Sequence, residues 1–182
     1  MPALSQLHPL VVHFPIALLM VVPLLVLLGL AWTEHRPGIH IAALVLLVIG
    51  TSMAVLAVIS GLAASGAVTG APELMAALDL HERLAKRTTF FYAALTLAFI
   101  LIQLVPVLAA SWDNRRRILA LNLAWLAISL GANALLIRTG HLGGRMVHEL
   151  AVHARAAAGT PSGQPDRSPH RLGRIHDERP AR

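Results

Sequence analysis

Cysteine is absent from the 182 residues, which excludes disulfides, thiolate metal sites, iron–sulfur clusters and covalent c-type haem attachment within this chain. Charge is scarce. Only 13% of residues are Asp, Glu, Lys or Arg, about half the share in a soluble domain. Aromatics are few as well, at 4%, so a base-stacking platform for nucleic acid has little to be built from. The net charge of +6 and pI near 11.4 do not restore that reading. The basic residues flank apolar runs or fall in the last thirty positions, and no nucleic-acid partner is expected.

What fills the chain instead is hydrocarbon. The hydrophobic class takes 56% of residues, and mean hydropathy is +0.67. Residues 3–33, 37–72, 88–112 and 118–137 contain no charged side chain. Each is long enough for the roughly 20 residues that cross about 30 Å of hydrocarbon. The expected fold is all-α: an integral membrane four-helix bundle over residues 1–152, with spans about 10–31, 40–64, 88–110 and 118–139, and a disordered basic tail at 153–182. The tail is rich in Arg, Pro, Gly and His with almost nothing to bury. The lipid bilayer is the first partner this implies. The first run has no Lys or Arg ahead of it and exceeds the 7–15 residues of a signal-peptide core, so it reads as a retained helix.

Proline and glycine place the boundaries. Pro9 and Pro15 leave residues 5–12 as an irregular lead-in, with regular helix from near His13. Pro23 should kink helix one, which ends near Trp32. Gly66, Gly70 and Pro72 break the chain after helix two, and residues 66–87 form a long connection with an amphipathic stretch leading into helix three. Gly143 and Gly144 should end helix four.

Four spans put the N-terminus, the 66–87 connection and the C-terminus on one side. His8, His13, His81, His141 and His148 then share one membrane face, and only His35 and His40 lie near the other. Ionisable groups at membrane depth are costly and mark function by default. Basic residues near the membrane number six on the histidine side and four on the other, which leaves orientation open.

The histidine spacings limit the chemistry. His8 and His13, five apart, diverge by about 140° on a regular helix and cannot chelate one ion together. His13 is the better ligand candidate, and His8 belongs to the helix lead-in. His141 and His148 stand about two turns apart, too far to share an ion. HERLA at 81–85 and HELAV at 148–152 lack the second histidine of HExxH, so metalloprotease chemistry is disfavoured, and whether the chain is an enzyme stays open, with a non-enzyme the favoured reading. The charge-free spans also lack the carboxylates that ion-coupled transporters place at mid-membrane. Gln103, Asn122, Asn133, Thr51 and Ser52 read as interhelical hydrogen-bond partners, and the GxxxG spacing of Gly140 and Gly144 reads as a close helix contact.

The inventory fits non-covalent haem b, with axial imidazoles from His13 and from His81 or His141, and Arg83 and Arg145 near the propionates. Such a module would serve electron transfer with a redox protein. The same three histidines could instead hold a divalent metal ion. From another class, a structural or assembly protein would use its histidines only to anchor helix ends; a passive solute channel is a third reading.

HPLVVHFPIALL at 8–19, the histidine of the second connection and TGHLGGRMVHELAV at 139–152 together resemble the bacterial membrane-protein family called domain of unknown function 2231. His8, Pro9, His13, Phe14 and Pro15 match its opening, and Thr139, Gly140, Leu142, Gly143, Gly144 and Val147 its closing. His148 stands where relatives carry an aromatic residue, and Leu150 and Ala151 where they carry His-Gly. The resemblance implies a multipass module of the bacterial inner (plasma) membrane. Some relatives carry fused c-type cytochrome segments, which implies an extracytoplasmic, redox-linked histidine face.

Overall fold

The computed structural model describes residues 8, 10–66, 68, 70–109 and 114–150. The expected disordered tail lies outside these residues. Four helices follow one another: α1 His13–Ala31, α2 Arg36–Ser65, α3 Pro72–Leu108 and α4 Arg115–Arg145, the last running into a π-helical turn, Met146–Leu150. Each is long and apolar enough to cross a membrane. Every helix packs on its neighbours in sequence and α4 closes back on α1, so the four form a closed bundle.

Local signals account for the boundaries. Pro37 and Pro72 lie in the first turns of α2 and α3, where a missing amide hydrogen costs nothing. The Asn114 side chain caps α4 by accepting from the amides of Arg116, at 3.0 Å, and Arg117. Two expectations are corrected. The connection after α2 closes by Pro72, and the amphipathic stretch is the first part of α3, whose 37 residues extend about 55 Å. Its Asp79–Arg83 and Glu82–Lys86 pairs suit a helix that continues into water. Helix four also runs through Gly143 and Gly144. Glycine costs a helix about 1 kcal/mol, a penalty that packing around Gly143 can offset.

The bundle is apolar outside and mixed inside. Val45, Leu56, Leu97 and Ile128 are exposed, as the lipid-facing belt requires. The core joins Leu19, Val22 and Val26 of α1 to Ala43 and Leu47 of α2, Tyr92, Leu95 and Phe99 of α3, and Trp125 and Leu136 of α4. Gly50 lets α2 approach α1: a Cβ there would meet Leu19 Cδ2 at 2.7 Å.

Hydrogen bonds stitch this interior. Thr51 and Thr96 hydroxyls meet at 2.9 Å, Tyr92 donates to Asn133, and the Trp125 indole donates to the Leu95 carbonyl at 2.9 Å. Asn133, Thr51, Gln103 and Asn122 thus act between helices as expected. Ser52 does not, because it is exposed and bonds Val48 of its own helix.

The Tyr92–Asn133 pair gives a clear test of this interior. Asn133→Leu strands a buried phenol and should cost about 1–3 kcal/mol. Replacing both partners, as Tyr92→Phe with Asn133→Leu, should recover most of that loss. Reversible unfolding in mixed detergent measures both; equal losses in the single and double variants would reject a coupled pair.

Candidate functional site

Two histidines line one cavity where all four helices converge at one end of the bundle: His8, just before α1, and His81, on the first part of α3. His81 owes its direction to the unbroken helix. Thr88 and Tyr92 follow it at seven and eleven residues, about two and three turns on, so all three share the inward stripe of α3. His8 is placed by a turn ahead of α1, in which the Val12 amide donates to the His8 carbonyl at 3.1 Å.

Each ring is held by its Nδ1. The His81 Nδ1–H donates to the Thr139 carbonyl at 3.1 Å; a carbonyl can only accept, so the neutral ring keeps its lone pair on Nε2. His8 reaches the same state by one more step. Its Nδ1 lies 3.0 Å from Ser60 Oγ, and that hydroxyl spends its proton on the Ala57 carbonyl at 3.1 Å. Ser60 therefore accepts, His8 donates, and a second Nε2 lone pair is left available.

Glycines make room for both rings. A Cβ at Gly61 would stand 2.9 Å from His8 Cε1, and one at Gly143 would stand 3.1 Å from His81 Cε1. The Gly140–Gly144 spacing is not a close helix contact: a Cβ at Gly140 would meet Ile16 at an ordinary 3.5 Å, and one at Gly144 would meet nothing. The residue between them does the packing.

The cavity holds about 80 Å³. Val12, Pro15, Ile16, Val58 and Leu136 supply apolar walls, and Thr88 and Tyr92 close its inner end. Burial lowers the pKa of His8 below the ordinary 6.5, against a smaller upward pull from the Ala57 carbonyl. His8 is accordingly neutral at pH 7.

The other sequence candidates fall outside this cavity. His13, His141 and His148 are exposed. Arg83 is paired with Asp79, and Arg145 with Glu149 at 2.9 Å, both on exposed surface. The structure thus brings His81 together with His8 and does not bring His13 or His141 to it. Among the described residues no group of three or more His, Cys, Asp or Glu is placed to hold a metal ion. Sequence reasoning missed Ser60 and Gly61, and read Gly143 as a helix end where the structure makes it room for the ring of His81. The Ser60-Gly61 step near the end of α2 was the visible signal for the first two.

Haem b can be tested against this geometry. Two Nε2 donors suit its iron, but about 80 Å³ is well below the 300–1,000 Å³ of usual cofactor pockets. The arginines expected at the propionates are engaged elsewhere. The residues present do not fit the porphyrin.

At the opposite end His40 is buried, 3% exposed, with its ring 5.7 Å from that of Phe99. Asn122 donates to the Ile118 carbonyl at 2.8 Å, Gln103 donates to Asn122 at 3.2 Å, and His40 Nδ1 donates to Gln103 Oε1 at 3.1 Å. Its Nε2 has no hydrogen-bond partner. It also has no cavity, since Gly29 lies so close that a Cβ there would come within 2.7 Å of that nitrogen.

Fold and site together define a four-span α-helical membrane protein with a two-imidazole cavity at one end of its bundle. The chain belongs to the family described as predicted membrane protein (DUF2231), which matches residues 5–156 and so takes in His8, His81 and all four helices. No curated protein and no solved structure matches it.

The lowered pKa of His8 has a thermodynamic consequence. An unfolded chain binds a proton at about pH 6.5 where the folded one resists it, so stability falls as pH drops below 6.5. His8→Gln should reduce that slope between pH 6.5 and 5 when unfolding is followed in detergent. An unchanged slope would mean that His8 is solvated.

Proposed function

We propose that the protein is a membrane-embedded binder of a single monovalent transition-metal ion, Cu⁺, held between Nε2 of His8 and Nε2 of His81. The observation that carries this reading is that both rings spend their Nδ1–H on fixed acceptors, which leaves an unspent Nε2 lone pair on each of two histidines that line the same cavity. Ligating histidines are commonly oriented in this way by a second-shell carbonyl or polar group.

The rest of the site supports the choice of ion. Imidazole suits copper, zinc, iron and nickel, but structural zinc takes four protein ligands and catalytic zinc three, and among the described residues two imidazoles line this cavity. Calcium and magnesium require oxygen cages. Among the described residues no carboxylate lines the cavity, so a divalent ion would bring two uncompensated charges into apolar surroundings, a larger desolvation cost than one. A monovalent ion that accepts two nitrogen donors matches both the donor count and the walls.

Binding is favoured over conduction because Tyr92, Leu95, Phe99 and Trp125 pack tightly behind the cavity, with the Phe99 and Trp125 rings 4.7 Å apart. The membrane partner would then be a protein that delivers or receives the ion at this end, taking the place of the redox protein expected for haem.

Purified full-length protein, reduced under anaerobic conditions, is titrated with Cu⁺ against a chromophoric chelator. One equivalent should bind, His8→Ala and His81→Ala should each abolish it, and His13→Ala and His141→Ala should retain it. Ser60→Ala, which removes the acceptor that orients His8, should weaken binding by about 10–100-fold. Zn²⁺ bound in preference to Cu⁺ overturns the choice of ion. Stoichiometric haem after haem-replete expression, lost in His81→Ala, overturns the ion in favour of the porphyrin.

A further inference from the structure

A second cavity lies at the other end of the bundle, between the end of α3 and the start of α4. It holds about 340 Å³ and is lined by apolar side chains, among them Ile102, Val105 and Pro106 of α3 and Ile118 and Leu121 of α4. Among the described residues one lining residue is charged: Arg117. From these observations we infer that the groove is a binding site for one anionic phospholipid, its acyl chain in the groove and its phosphate against the Arg115–Arg117 cluster.

The groove exists for a local reason. Pro106 lies inside α3, where its ring crowds the carbonyl four residues earlier and no amide is available to bond it. That carbonyl belongs to Ile102, which also lines the groove. The lining on α3 runs from Ala98 to Pro106, eight residues or about 12 Å along the helix axis. This is a slot that runs along the axis of a membrane-spanning helix between apolar walls, and its natural occupant is a chain already in the bilayer.

Charge selects the headgroup. Arg115, Arg116 and Arg117 follow in succession at the N-terminal end of α4, all exposed, and the sequence around them supplies one acidic residue, Asp113. The amides of Arg116 and Arg117 are already taken by Asn114, so the guanidinium groups, with their planar fork of donors, must meet the phosphate. Basic pockets between membrane helices are matched to anionic headgroups in this way. A neutral zwitterionic lipid would fill the slot and gain little at its rim. Free phosphate would meet the arginines and leave the slot empty.

The test uses the full chain in detergent, loaded with dioleoyl phosphatidylglycerol or dioleoyl phosphatidylcholine, with retained lipid counted by native mass spectrometry. Wild type should retain phosphatidylglycerol in preference. Arg117→Gln should lower that preference by about fivefold, the worth of one basic residue near an anionic surface. Leu121→Trp, which fills the groove and leaves the arginines in place, should lower retention of both lipids. Equal retention of the two lipids by wild type, or a preference untouched by both variants, overturns the site. Displacement of phosphatidylglycerol by millimolar inorganic phosphate would reduce it to an anion site without a lipid and also overturns it. Should Arg117→Gln fail to fold, Arg116→Gln and the Leu121→Trp readout decide.

Discussion

Hydrocarbon offers no hydrogen bonds, so a polar group inside this bundle is costly unless it finds a partner there, and among the described residues His40 Nε2 is the buried side-chain atom that does not. Between membrane helices there is also little hydrophobic driving force, because lipid tails are as apolar as leucine. The fold answers both conditions with one device, a polar seam along the inward faces of α3 and α4. On α3 the stripe reads His81, Thr88, Tyr92, Thr96 and Gln103; on α4 it reads Asn122, Ser129, Asn133 and Thr139. These groups pair across helices or back onto their own backbone. Leu95, Phe99 and Trp125 fill the spaces between them.

A consequence is that helix carbonyls dictate where protons sit. The Ile118 carbonyl orders Asn122, Gln103 and His40 in turn, the Thr139 carbonyl orders His81, and the Ala57 carbonyl orders Ser60 and then His8. All three histidines arrive at the same tautomer, with Nε2 unprotonated in the neutral ring. What separates them is room. A Cβ on Gly29 would stand 2.7 Å from Nε2 of His40, whereas Cβ atoms on Gly61 and Gly143 would stand 3.5 and 3.8 Å from Nε2 of His8 and His81, two residues that line a cavity. The chemistry proposed for one end and withheld from the other rests on this steric difference between rings in the same protonation state.

The four spans were legible because charge-free runs and prolines report length and breaks directly. The start of α3 was less so. Residues 72–87 carry enough charge to read as a surface connection, and only the i,i+4 pairing of Asp79 with Arg83 and of Glu82 with Lys86 hints that the helix is unbroken. The choice between His8 and His13 was not legible. Their five-residue spacing shows that one ring at most points inward, but which one depends on the turn at Val12 and on contacts with α2, fifty residues away. Glycine was ambiguous for a related reason: Gly140, Gly143 and Gly144 look alike in sequence, and only packing reveals that Gly143 carries the ring of His81.

The two ends of the bundle solve opposite electrostatic problems with the same economy of charge. At the His8–His81 end, neutral donors face apolar walls, so the site favours a ligand that supplies a single positive charge and gains coordination in return. At the other end, the guanidinium groups of α4 stand at the rim of an apolar slot, so the ligand must supply negative charge and an apolar chain. Neither site needs a charged side chain within the hydrocarbon, where charge is most costly. That is consistent with a chain whose residues 3–33, 37–72, 88–112 and 118–137 carry no charged side chain: the ionisable groups with chemistry to offer stand at helix ends, where the bundle meets water and headgroups, and the interior keeps the hydrogen bonds that hold those ends in register.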